Sequence, residues 1–108
     1  MMEKRKHVRI SLETEIWLGQ DGIFTRTTER LRDLSEGGAF IESREVFAVG
    51  SVLSLRFKLP GARELISCSV CVRNLRGRGG MGVEFLDVSS QDRSRIKLVV
   101  EEQISRTR

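Results

Sequence analysis

Apolar side chains fall at every second position through most of this chain and change to helical spacing only near its end. Ile10, Leu12, Thr14, Ile16 and Leu18 alternate with Ser11, Glu13, Glu15 and Trp17, the period of a strand with one buried face, which predicts a first strand over about residues 9–18. Gly19-Gln20-Asp21-Gly22 is built of turn formers and reverses the chain into a second strand, Ile23 to Leu34, whose threonines and alternating charges suit an exposed or edge position. Gly37-Gly38 leads into a short third strand, Ala39 to Ser43, followed by a loop that ends at Gly50. Leu53, Leu55, Phe57 and Leu59 alternate with Ser54, Arg56 and Lys58 until Pro60-Gly61 stops the pattern. Glu64 to Asn74 puts Ile66, Cys68, Val70 and Val72 on one face, and Met81, Val83 and Phe85 alternate again. Strands joined by short reversals with no helix between them predict an all-β fold, an antiparallel barrel or sandwich.

Ile96, Val99, Val100 and Ile104 follow the spacing of one helix face. Ser89 and Ser90 are N-cap candidates, and Asp92 stands three residues after Ser89 in capping-box position, so a helix is predicted from about Ser90 to Ile104. Its apolar face needs cover, and lying over an opening of the barrel or over an exposed sheet face provides it. Trp17, opposite the inward set of the first strand, is expected to pack under this helix rather than stack on a base. The chain thus divides into a basic arm (1–9), a barrel (10–86) and a C-terminal helix (89–105).

A length of 108 residues allows one domain with one modest core and leaves no room for a separate catalytic domain. The Met-Met-Glu-Lys-Arg-Lys start has no apolar stretch behind it, and no apolar run approaches a membrane span, so a cytoplasmic location without a membrane span is expected. The net charge of +4 is gathered in clusters: Lys4, Arg5, Lys6 and Arg9, then Arg73, Arg76 and Arg78, then the C-terminal segment. Such clusters are solvated surface or contacts for an anion. RNA or single-stranded DNA is the less favoured anion, because there is no Tyr and the five Phe fall mostly at apolar strand positions rather than where bases stack.

Several chemistries are disfavoured. Cys68 and Cys71 spell Cys-x-x-Cys, but residues three apart on a strand point to opposite faces, and no second cysteine pair completes a zinc site. His7 is the only histidine, no nucleophile is paired with a base, and the expectation is a protein that is not an enzyme and holds no metal. Gly77-Arg78-Gly79-Gly80-Met81-Gly82 matches G-x-G-x-x-G by letter, yet a strand follows it where the dinucleotide motif needs a helix N-terminus. These glycines read as a hairpin connection.

Two clusters remain. Arg5 and Arg9 stand four residues apart ahead of the first strand, and Asp33-Leu34-Ser35-Glu36-Gly37-Gly38 puts a carboxylate, a hydroxyl and two glycines in one turn. Arg offers a bidentate fork to phosphate or to the O6/N7 edge of guanine, Asp accepts from the guanine N1/N2 edge, and Gly admits close approach of a ligand. Taken alone, the arginines also fit a flexible basic tail and the turn residues ordinary turn chemistry.

The Arg5-x-x-x-Arg9 pair, the Asp33-x-Ser35-x-x-Gly38 turn and the Gly80-Met-Gly-Val-Glu-Phe85 strand, in this order, resemble the PilZ domain. The resemblance covers nearly the whole chain and implies a six-stranded antiparallel β-barrel with a C-terminal helix that binds the bacterial second messenger cyclic di-GMP. It implies that Arg5 and Arg9 clasp phosphates and guanine Hoogsteen edges. Asp33 and Ser35 would then bind a guanine edge, and Gly38, next to Gly37, would keep the floor of the site clear. Lys4 stands where many members carry a further basic residue. The implied role is a stand-alone effector that presents a changed surface to a downstream protein partner. The alternative is a PilZ-like adaptor in motility or exopolysaccharide control that works without a ligand.

Overall fold

A computed structural model describes residues 10–14, 16–20, 23–27, 30–42, 47–76 and 79–106 of the chain. The six predicted strand segments are present, and the first two are each interrupted. The first forms β1 (Ile10–Glu13) and β2 (Ile16–Gln20), and the second forms β3 (Ile23–Thr27) and β4 (Arg30–Leu34). Then come β5 (Gly38–Glu42), β6 (Val52–Lys58), β7 (Leu65–Leu75), β8 (Met81–Phe85) and α1 (Ser90–Arg106). The pairings are antiparallel, in the order β1-β4-β5-β8-β7-β6-β2-β3. β1 and β2 come from one segment yet lie toward opposite ends of that order, as do β4 and β3. The first hairpin therefore serves both ends of the sheet, which curls into a half-barrel. A side-chain bond marks the change of partner: Thr14 Oγ1 donates to the Lys58 carbonyl at 2.8 Å, just beyond the β2–β6 ladder, which runs from Ile16 opposite Phe57.

The period-two residues are the core. Leu53, Leu55 and Phe57 of β6 face Ile66, Cys68, Val70 and Val72 of β7 and Met81, Val83 and Phe85 of β8, with the Phe57 and Phe85 rings stacked at 6.2 Å between centroids. Each such side chain contributes roughly 1.5–3 kcal/mol by leaving water. The helix closes this interior with Ile96 and Val100, while Val99 and Ile104 pack at its margin. Its start matches the predicted cap, with Asp92 N donating to Ser89 Oγ at 3.1 Å. Trp17 does not lie under the helix. It is half-buried on the face of β2 opposite Ile16 and Leu18, in register with Arg56 of β6, and stands outside the core cluster.

Cys68 and Cys71 point to opposite faces as their spacing requires, and both are free thiols. Both are also buried, Cys68 inside the core and Cys71 on the outer side of β7. Burial pushes the Cys68 thiol up to about 12, with Asp87 and Asp92 adding to the effect. Among the described residues, no helix is long and apolar enough to cross a membrane.

Candidate cyclic nucleotide site

Two β-bulges build the site. Between β1 and β4, Ile10 faces Leu34 and Leu12 faces Leu31, so β4 has one residue more than its partner. At this irregularity Asp33 takes φ 53°, a left-handed conformation that few residues other than Gly adopt and that Asp tolerates through its short polar side chain. Leu31 and Leu34, three apart, consequently both reach the core. Between β7 and β8, Val72 faces Val83 and Asn74 faces Gly82, which makes Arg73 the extra residue. Arg73 and Asn74 are both exposed as a result, instead of one turning inward.

β5 and β8 lie side by side between these bulged strands, and their outward residues form the floor of a cleft of about 350 Å³. The floor is Gly38, Phe40, Gly82 and Glu84; Asp33, Ser35 and Gly37 line one wall, and Arg73, Asn74 and Arg76 the other. Ser35 is buried and staples the turn. Its N–H donates to the Gly38 carbonyl at 2.9 Å, and its Oγ accepts from Gly37 N at 3.2 Å. Phe85 N donates to the Gly37 carbonyl at 2.9 Å and ties the turn to β8. Gly38 is set by the same approach: a Cβ there would strike the Val83 carbonyl oxygen. Gly38 thus lines the cleft, and its lack of a side chain permits the close contact with β8.

The cleft carries charge of both signs. Arg73 donates from Nε to Glu84 Oε1 at 2.7 Å, with Nη2 2.5 Å from the same oxygen, and this bond holds the guanidinium above its usual pKa. The Arg76 guanidinium lies over the Phe40 ring, 5.4 Å from its centroid. Beside the cleft, Arg32 pairs with Glu42 at 2.8 Å. Among the described residues, no group of three or more His, Cys, Asp or Glu side chains is placed to hold a metal ion.

Of the residues expected at the site, Asp33, Ser35, Gly37 and Gly38 come together in this cleft. Lys4, Arg5 and Arg9 lie outside the described residues. Phe40, Arg73, Asn74, Arg76 and Glu84 join the cleft without having been singled out as ligand contacts. Arg73 and Arg76 did stand out as part of a basic cluster, but their link to Asp33 depends on the strand order β4-β5-β8-β7.

A curled antiparallel sheet closed by a C-terminal helix, with a polar cleft on its outer face, defines a small ligand-binding module. The PilZ domain profile matches residues 3–102, and the chain belongs to the PilZ domain family, a family of cyclic di-GMP receptors. The fold is similar to that of the inhibitor of motility MotI/DgrA of Bacillus subtilis, with a TM-score of 0.81 and 19% identity over 99% of this chain and 55% of that one. It is also similar to the PilZ domain with c-di-GMP of YcgR from Escherichia coli, with a TM-score of 0.71 and 17% identity over 97% of both chains. MrkH, a c-di-GMP-dependent transcription regulatory factor, gives a TM-score of 0.71 and 15% identity over 96% of this chain and 52% of that one. The chain therefore spans about half the length of two of these three proteins. No curated protein matches the sequence.

Proposed function

We propose that this chain binds cyclic di-GMP in the cleft between the two bulges and acts in the cytoplasm as an effector without enzymatic activity, offering a changed surface to a protein partner once loaded. The supporting observation is Asp33, held in a left-handed bulge at the edge of a cleft whose opposite wall carries Arg73 and Arg76. A carboxylate suits the N1/N2 edge of guanine, and guanidinium forks suit its phosphates and O6/N7 edge. A volume of about 350 Å³ falls within the roughly 300–1,000 Å³ of small-molecule sites. Arg5 and Arg9, carried on the arm, add two more forks, with Lys4 beside them. The ligand then bridges arm and barrel, so the position of the arm depends on occupancy. Ser35 and Gly38 act by shaping the turn that presents Asp33.

Calorimetric titration with cyclic di-GMP tests the reading. Saturable binding is expected, with a loss of about tenfold or more in Asp33→Ala, since a good bidentate base contact is worth about 1–3 kcal/mol. Unchanged affinity in an Arg9→Ala, Asp33→Ala double variant overturns the site. A folded chain that ignores saturating ligand is instead a ligand-independent adaptor.

A further inference from the structure

The Arg73–Glu84 pair sits on the cleft surface; Arg73 lies outside the segments that mark the family resemblance, and Glu84 lies in the Gly80–Phe85 strand, to which the resemblance assigns no ligand contact. The β7 bulge adds Arg73 to the ladder and exposes it beside Asn74, on the wall facing the Asp33 turn. Bulges commonly re-aim side chains next to binding sites. Glu84 stands in register with Gly38, so a second carboxylate lines a cleft read here as the seat of an anionic ligand. Two carboxylates facing a dianion repel it unless one is neutralised, and Arg73 supplies that neutralisation with two nitrogens on a single Glu84 oxygen. The pair is open to water, with side-chain exposures of 56% and 51%. A pair so screened is weak and opens easily, whereas a phosphate offers the same guanidinium a charge-assisted fork.

The geometry points to Arg73 as a further phosphate-binding group of the cleft and to Glu84 as the carboxylate that competes with the ligand for it. This rests on the cyclic di-GMP reading above and adds a residue that sets the ligand concentration at which the receptor fills. Glu84 acts as a brake, and its removal tightens binding.

The test is a double-mutant cycle on the full chain, titrated calorimetrically with cyclic di-GMP at fixed ionic strength, with circular dichroism confirming the fold of each variant. Glu84→Gln is expected to bind about threefold tighter or more, and Arg73→Gln about tenfold weaker, on the scale of one hydrogen-bonded charge. In the Arg73→Gln background, Glu84→Gln brings a smaller gain, because the group it competes for is gone and only direct repulsion of the ligand is left to relieve. Arg73→Gln also makes the affinity less sensitive to salt. Weaker or unchanged binding in Glu84→Gln, unchanged binding in Arg73→Gln, or a gain that is just as large without Arg73 overturns the competition. Those outcomes leave wild-type binding in place, whereas a folded wild-type chain that binds no cyclic di-GMP removes the ligand reading and this inference with it.

Discussion

Gly38 carries the most direct consequence of how the site is built. A methyl group there would run into the Val83 carbonyl oxygen and come within 3.2 Å of the Glu84 Cα, and backbone atoms cannot swing aside as a side chain would. In Gly38→Ala, either β5 stays against β8 and bears the overlap, at about 1–3 kcal/mol, or it withdraws. Withdrawal strains two backbone bonds, Phe85 N to the Gly37 carbonyl and Ser35 N to the Gly38 carbonyl, both 2.9 Å and each worth roughly 1 kcal/mol net. The expected loss is about 2–3 kcal/mol. For a domain of this size, 1 kcal/mol moves the melting temperature by roughly 4–8 °C, so a fall of about 10–20 °C is expected in a thermal melt followed by circular dichroism. Gly61→Ala is the matched control. Gly61 has φ 75° with nothing within 4 Å, so only the left-handed backbone is penalised, at about 1 kcal/mol. A Gly38→Ala variant that melts within a few degrees of wild type, or above Gly61→Ala, contradicts this close packing of β5 on β8. Because the displaced turn carries Asp33, Gly38→Ala is also expected to lose nucleotide affinity.

Two further outcomes concern the interior. Ile96 is fully buried where the helix closes the half-barrel and Leu98 is 60% exposed on the same helix. Ile96→Ala should therefore lose about 2–5 kcal/mol in urea unfolding and Leu98→Ala less than about 0.5 kcal/mol; equal losses would refute the packing of α1. The Cys68 thiol, raised by burial from 9.0 to about 12 in the folded chain, stays protonated where the unfolded chain would ionise. Its contribution to stability is complete below pH 9 and is lost as pH rises from there through 12. The urea midpoint of wild type should fall more steeply between pH 8 and pH 10.5 than that of Cys68→Ala, and parallel curves would contradict the shift.

Local physics made much of the fold legible. Alternation of Leu53, Leu55 and Phe57, or of Met81, Val83 and Phe85, reports a buried face whatever the strand pairs with, and those residues are the core. The Ser89 cap with the Ile96 and Val100 spacing is equally local, and α1 follows it. The interruptions of the first hairpin were not legible, because a strand changes partner only when the sheet curls enough to offer one. Trp17 was misplaced for a related reason: alternation states that it faces away from Ile16 and Leu18, not what covers that outer face.

At the site, the residue types in Asp33-x-Ser35-x-x-Gly38 announced, from local chemistry alone, a tight polar turn with a carboxylate in it. What faces that carboxylate is set by the strand order. Arg73 lies 40 residues from Asp33 (73 − 33), beyond the reach of any periodicity, and arrives at the cleft because β5 and β8 fill the space between β4 and β7. The two bulges that bring Asp33 and Arg73 to the cleft are mismatches between paired strands. A mismatch is a property of two segments in register, so neither segment encodes it alone.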